Sequence, residues 1–119
     1  MALTILHYRK CSKSRRALEI LSKSGEEFTV REYMLNNLTP LELSAILKKL
    51  NKTPKEILRK KEAKEAGIYE LDGPELIKKI CDNPKTMERP IVIFQDRALI
   101  CRPPENILDI LQDGHRSKN

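Results

Sequence analysis

The chain has 119 residues, of which 39% are hydrophobic and 34% charged, and its formal net charge is +6. This length is that of one compact domain, residues 1–119, with enough apolar material for one core and too much for a disordered tail. Aromatic residues make up only 4% and tryptophan is absent, which disfavours a stacking surface for nucleic acid. The positive charge favours anionic partners, and it leaves a phosphate-like oxyanion, an acidic metabolite and nucleic acid open.

No apolar run reaches the roughly 18 residues needed to cross a bilayer, and no cleavage site follows the first strand-like run. We therefore expect a cytoplasmic protein without membrane association. The three cysteines, Cys11, Cys81 and Cys101, are odd in number, far apart and without a CxxC pair. This pattern argues against a disulfide framework and a structural zinc site, and we expect no metal and no bound cofactor.

The first third of the chain predicts a strand, a helix and a second strand. Residues 3–6 are β-prone, and apolar residues at helical spacing follow Cys11 until Gly25 stops the helix. Residues 28–33 alternate well enough for another strand. Because crossover connections are right-handed, the two strands are expected to be parallel.

The middle of the chain carries three helix-start signals. Thr39-Pro40-Leu41-Glu42 reads as a capping box with proline at the first helical position. The same signal at residues 53–56 predicts one helix that runs to about Ala66, with Arg59 inside it. A third signal, at residues 72–75, opens another helix.

The last third predicts a hairpin and a helix. The apolar run at residues 91–94 and the run at residues 98–101 are joined by a tight turn, and Arg102-Pro103-Pro104-Glu105 starts a final helix. From Gly114 onward the chain reads as a polar tail.

Together these elements describe an α/β chain of thioredoxin-like fold, with a mixed four-stranded sheet and an inserted helical subdomain. The predicted core takes residues 1–35 and 85–113, and the insert takes about 39–82. The insert is too small to fold alone.

Cys11 is the strongest candidate for chemistry. A cysteine at a helix N-terminus faces free backbone N–H groups and the positive end of the helix dipole, which stabilise a thiolate. The surrounding positive potential comes from Arg9, Lys10, Lys13, Arg15 and Arg16. Cys81 and Cys101 continue apolar patterns and are predicted to be core residues.

Three neighbours of Cys11 are candidate supporting residues. Ser12 and Ser14 can cap the helix or donate to a bound oxyanion, and His7 can reach the thiolate or carry a proton. Ser14 also stands where a dithiol redox enzyme has its second cysteine. An external thiol must therefore complete any redox turnover at Cys11.

Arg59, Arg89 and Arg102 are candidate anion ligands, because the guanidinium fork can donate two parallel hydrogen bonds to an oxyanion. Taken singly, each is more often a solvated surface residue. Pro90 precedes a strand and cannot extend its hydrogen bonding, and the Arg89-Pro90 bond can be cis or trans.

The motifs Cys11-Ser12-Lys13-Ser14-Arg15, Glu88-Arg89-Pro90-Ile91-Val92 and Arg102-Pro103-Pro104-Glu105, in this order around a helical insert, resemble the glutaredoxin-dependent arsenate reductase (ArsC-like) family of bacteria, which also contains Spx-type transcription regulators. Tyr8-Arg9 replaces the Asn-Pro common in the family, and the chain ends soon after its last helix. Both features resemble the short housekeeping branch.

The resemblance implies Cys11 as nucleophile and an oxyanion site formed by Arg59, Arg89 and Arg102. It implies a cis-proline at Pro90 facing the site and support of the thiolate by His7. The implied activity is reduction of arsenate, or a similar oxyanion, to arsenite. Glutathione is then the co-substrate, and glutaredoxin is the protein partner that clears glutathione from the cysteine.

Two other functions stay open at this point. One is an Spx-like regulator that binds RNA polymerase without catalysis, although Ser14 removes the CxxC switch of the best-known regulators. The other is a glutathione-linked oxidoreductase acting on protein thiols. Direct nucleic-acid binding is disfavoured, because the positive charge is spread along the chain without a recognised DNA-binding motif.

Overall fold

The computed structural model of the chain describes residues 3–111. The chain divides into two compact units. One contains the described residues up to Glu32 and from Arg89 onward, and the other contains Tyr33–Glu88.

The first unit is built on a four-stranded sheet whose strands are β1 (Leu3–Leu6), β2 (Thr29–Arg31), β3 (Ile91–Phe94) and β4 (Arg97–Ile100). Their order across the sheet is β2-β1-β3-β4. β1 and β2 are parallel, whereas β3 is antiparallel to both of its neighbours, β1 and β4. The predicted mixed sheet is confirmed, and so is the parallel pairing of the first two strands.

β3 and β4 form the predicted hairpin. Phe94 pairs with Arg97, so that Gln95 and Asp96 make a two-residue turn between them. Gln95 has a φ of 55°, the left-handed conformation that such short turns require.

The second strand is shorter than residues 28–33. β2 has only three residues, and it lies at the edge of the sheet with β1 as its single neighbour. Phe28 packs against the core of the unit just before the strand, and Tyr33 is buried just after it. The alternating pattern therefore reflects burial at the flanks as well as pairing in the strand.

The helix predicted after Cys11 is α1 (Ser12–Ser24), and Gly25 ends it with a φ of 80°. Glycine adopts this left-handed conformation at little steric cost. The inner faces of α1 and the sheet share one hydrophobic core, whose buried residues are Leu3, Ile5, Ala17, Leu21, Val92, Phe94, Cys101, Ile107, Ile110 and Leu111.

The second unit contains α2 (Pro40–Leu50), α3 (Lys60–Glu65) and α4 (Gly73–Asp82). The predicted capping box at the start of α2 is confirmed. The Glu42 backbone N–H donates to the Thr39 hydroxyl at 3.1 Å, and the Thr39 N–H donates to the Glu42 carboxylate at 2.9 Å. α4 packs against α2 within this unit.

The single helix predicted from residue 53 to about 66 is wrong. A short 3-10 turn, Pro54–Ile57, comes first, and the chain is extended at Leu58 and Arg59 before α3 begins. Leu58 forms an isolated antiparallel bridge with Met87. The Arg59 N–H donates to the Thr86 carbonyl at 2.7 Å, so hydrogen bonds to a distant segment replace helical ones. Arg59 consequently lies at the N-cap of α3 and not inside a helix.

The last helix begins later than residues 102–105. Pro104–Asn106 form a 3-10 turn, and helical residues follow over 107–111. The Arg89-Pro90 and Arg102-Pro103 peptide bonds are both cis. The predicted tail from Gly114 lies outside the described residues. Over residues 3–111, no helix is both long and apolar enough to span a membrane.

Candidate active site

Cys11 is the N-cap residue of α1, in extended conformation, with the helix starting at Ser12. Its N–H donates to the Tyr8 carbonyl at 3.0 Å, and its carbonyl accepts the Arg15 N–H at 3.0 Å. The residue is thus fixed at both backbone ends, and its thiol is free and partly exposed. The predicted placement of this cysteine between strand and helix is confirmed.

The pKa of the Cys11 thiol lies below its ordinary value. Partial burial is the largest single effect and by itself raises the pKa. The combined opposing effects outweigh it: the Ser14 and Lys13 backbone N–H groups and the Arg89 side chain donate to the sulfur, and the Arg89 charge favours the anion. The free N–H groups of a helix start and one guanidinium therefore stabilise the thiolate.

Arg89 reaches the thiol from the segment that precedes β3. Its guanidinium carbon lies 5.1 Å from the centroid of the Tyr8 ring, within the range of a cation–π contact. Arg102 Nη1 donates to the Arg89 carbonyl at 3.1 Å, which places the second predicted arginine beside the first. The cis Pro90 directly follows Arg89, and its carbonyl accepts the Cys101 N–H at 2.9 Å.

Ser14 has a different role from the one that its polar surroundings suggest. The residue is completely buried, and its Oγ lies 2.6 Å from His7 Nδ1 and accepts the Tyr8 N–H at 3.1 Å. α1 has no side-chain cap. The expectation that Ser14 caps the helix is therefore wrong, and its donation to an oxyanion stays a prediction. Its hydroxyl instead fastens the loop before Cys11 to the first turn of α1.

A Ser14→Ala variant should lose about 1–3 kcal/mol in the free energy of unfolding, since the Tyr8 N–H and His7 Nδ1 lose a buried partner. Urea unfolding measures this loss. The matched control is Ser12→Ala at the neighbouring exposed position, where a change within about 0.5 kcal/mol is expected. Equal stability of the two variants would contradict the proposed fastening role.

His7 is buried, and its Nδ1 faces Ser14. The pKa of His7 is lowered from 6.5, above all because burial disfavours the charged ring; Glu32 opposes this shift, and Arg9 and Arg15 add to it. The neutral ring is therefore the form that fits the fold at neutral pH. His7 contacts the serine behind the cysteine, and the direct effects on the Cys11 pKa come from Ser14, Lys13 and Arg89.

The lowered pKa of His7 predicts a loss of stability in acid. The unfolded chain takes up a proton more readily than the folded chain, so the contribution of His7 is complete above pH 6.5 and is lost as the pH falls below it. We expect the free energy of unfolding of the wild type to fall from pH 7 to pH 5 relative to His7→Asn, whose side chain does not titrate. Parallel pH dependences in the two proteins would refute the expectation.

Other predicted basic residues near the cysteine are held by protein groups. Arg9 forms a bidentate pair with Glu32 at the end of β2, with Nε–Oε1 and Nη2–Oε2 distances of 2.8 Å. Arg15 is exposed, and its Nη1 donates to the Arg9 carbonyl at 2.9 Å. Ser12 is exposed at the first position of α1. Sequence reasoning missed Glu32, because its partner lies 23 residues away and no local pattern links them.

Cys81 and Cys101 are buried, as predicted for core residues. Burial is the main cause that raises the pKa of Cys81 to about 11 and that of Cys101 to about 12. Both sulfurs are therefore thiols at neutral pH, which leaves Cys11 as the activated cysteine among the three.

Arg59 lies in the second unit, where it forms ion pairs with Glu62 and Glu88. Arg59 Nη1 lies 3.7 Å from Oε2 of Glu88, the last residue of the second unit. The Arg59 N–H donates to the Thr86 carbonyl in the same segment. Within residues 3–111, no group of three or more potential metal ligands is found.

A four-stranded mixed sheet with an activated cysteine at the start of its first helix defines a thiol protein of thioredoxin-like fold. The ArsC family model matches residues 6–110, and the chain belongs to the ArsC family.

The chain is similar to relatives of nearly the same length. The chain is 39% identical over 112 residues to the uncharacterized protein YfgD of Escherichia coli K12, covering 90% of this chain and 94% of that one. It is 37% identical over 116 residues to an arsenate reductase of Haemophilus influenzae, covering 93% and 100%. A solved structure of a putative arsenate reductase from Yersinia pestis superposes with a TM-score of 0.85 at 34% identity, covering 90% and 98%.

Proposed function

We propose that this protein is a cytoplasmic arsenate reductase that uses the Cys11 thiolate with glutathione and glutaredoxin. The observation that carries the proposal is the Arg89 guanidinium donating to a cysteine whose pKa is lowered at the start of α1. Membership of the ArsC family and the named arsenate reductases among the relatives support arsenate as the substrate.

Binding of the anion beside a thiolate needs positive charge, because the two negative groups repel each other. In the proposed site Arg89 bridges the sulfur and the oxyanion, and Arg102, held at the Arg89 carbonyl, supplies a second guanidinium. Arg59, the third ligand implied by the family resemblance, stays a prediction, and its guanidinium forms ion pairs with Glu62 and Glu88. Guanidinium groups suit this task because they donate in pairs to the oxygens of a tetrahedral oxyanion.

The proposed first step is nucleophilic attack. The Cys11 sulfur forms a bond to arsenic(V), and an arsenic–oxygen bond breaks with release of water after protonation of the leaving oxygen. The arginines stabilise the charge that builds up on the remaining oxygens.

The electrons come from two thiols. Glutathione then bonds to the arsenic through its sulfur, and a second arsenic–oxygen bond breaks with release of water. A sulfur–sulfur bond forms between Cys11 and glutathione as both arsenic–sulfur bonds break, so that arsenic keeps two more electrons and leaves, with uptake of water, as arsenite. Glutaredoxin then reduces the mixed disulfide and returns Cys11 to the thiolate. Ser14 leaves no second thiol in the first turn of α1, so the electrons of the second step come from outside the chain.

The test is arsenate-dependent oxidation of NADPH by the purified chain with glutathione, glutaredoxin and glutathione reductase, together with direct measurement of arsenite. The proposal expects arsenite in proportion to the NADPH consumed, and activity that depends on both glutathione and glutaredoxin. Folded protein that forms no arsenite above the rate of the mixture without it would overturn the proposal.

A further inference from the structure

We propose that Tyr8 is a positioning residue that holds the Arg89 guanidinium against the sulfur of Cys11. The cation–π contact of 5.1 Å joins two residues that lie far apart in the chain, and Arg89 is the one side chain among the groups that lower the pKa of the thiol. Tyr8 touches neither the proposed substrate nor the sulfur in this role, and it acts through Arg89.

The backbone of Tyr8 is fixed independently of its ring. Its N–H donates to the buried Ser14 hydroxyl at 3.1 Å, and its carbonyl accepts the Cys11 N–H at 3.0 Å. The backbone is therefore fixed at the position from which the Tyr8 ring projects, three residues before Cys11. A substitution that removes only the ring leaves these two hydrogen bonds in place.

An arginine needs such support to act as a well-placed donor. Its long side chain has several rotatable bonds, and fixing them costs conformational entropy each time that the guanidinium docks on the sulfur. A ring face that attracts the cation restricts the guanidinium in advance, which makes donation to the thiolate more effective. Arg102 donates to the Arg89 carbonyl and so fixes the backbone of Arg89. The Tyr8 ring contacts the guanidinium at the far end of the Arg89 side chain.

The inference deepens the proposed function, on which its consequence for catalysis rests, but its test needs no arsenate. The rate of alkylation of Cys11 by iodoacetamide at pH 6–7 reports the thiolate population directly. We expect Tyr8→Leu to slow alkylation about threefold, the effect of losing one cation–π contact at a partly exposed site. Tyr8→Phe keeps an aromatic face and should alkylate at the wild-type rate.

A double-mutant cycle separates positioning from a general structural role. In an Arg89→Ala background, Tyr8→Leu should slow alkylation no further, because the group that Tyr8 positions is already gone. An equal loss in Tyr8→Phe and Tyr8→Leu, a loss that persists in the Arg89→Ala background, or no loss in either variant would each overturn the inference. Urea unfolding checks that each variant is folded. If Tyr8→Leu does not fold, Tyr8→Met takes its place.

The two proposals can fail separately. A chain that forms no arsenite but shows the ring-dependent and Arg89-dependent alkylation refutes the arsenate assignment and supports the positioning role. If Tyr8→Leu reduces arsenate at the wild-type rate and its Cys11 is alkylated as fast as that of the wild type, the positioning role alone is refuted.

Discussion

Replacing Cys11 by serine is expected to lower arsenite formation about a thousandfold or more, to the level of the mixture without enzyme, since the hydroxyl cannot replace the thiolate as nucleophile. The serine lacks both the ionised form and the ability to make the sulfur–sulfur bond that carries the electrons. The measurement is kcat/KM for arsenate in the coupled assay, with arsenite determined separately.

The matched controls are Cys81→Ala and Cys101→Ala. Both cysteines are buried, and the high pKa of each thiol, about 11 and about 12, keeps it protonated. These variants should lose stability through the smaller side chain but keep their kcat/KM under conditions where they are folded. Arsenite formation by Cys11→Ser at the wild-type rate would rule out the mechanism. If the wild type itself forms no arsenite, a polymerase-binding regulator that ignores the state of Cys11 is the alternative to test.

The Arg89→Ala variant is expected to lose about a hundred- to a thousandfold in kcat/KM, the usual cost of removing one donor from an oxyanion site. Two effects combine in this loss: the anion loses a bidentate ligand, and the Cys11 thiolate loses the side chain that donates to it. Arg89→Lys keeps the charge without the planar fork, and its kcat/KM should lie between those of the wild type and Arg89→Ala.

The two effects can be measured apart. Alkylation of Cys11 at neutral pH reports the thiolate alone, whereas KM for arsenate also reports binding of the anion. Arg97→Ala, at an exposed position on β4, serves as the control and should leave both quantities unchanged. An Arg89→Ala variant within threefold of the wild type in kcat/KM would contradict the proposed site.

The sequence predicted those elements whose signals are local. Thr39 and Glu42 start α2 through hydrogen bonds between near neighbours, and Gly25 ends α1 through its own backbone conformation. The break at Leu58 could not be predicted in this way. It depends on pairing with Met87, a residue that only the folded chain brings to Leu58, so the start signal at Thr53 alone predicts a longer helix than the fold contains.

The candidate site divides along the same line. The position of Cys11 follows from a strand, a loop and a helix that are adjacent in the chain, and sequence patterns predict it. The burial of Ser14 does not follow from sequence patterns, because its neighbours in the chain are polar. Its side chain is enclosed by contacts with His7 and Tyr8 across the turn. The contact between Tyr8 and Arg89 depends on the sheet, which brings β1 and β3 side by side.

The enclosure of Cys81 and Cys101 has a practical consequence for work on the native chain. A maleimide dye, nitroxide or mercury compound added near neutral pH reacts with the accessible thiol of Cys11, while Cys81 and Cys101 are buried and protonated. Neither of the two buried cysteines has to be substituted first. A single reporter can thus be attached at the start of α1 in the unaltered protein. Its signal then follows this one position during unfolding or the arrival of a binding partner.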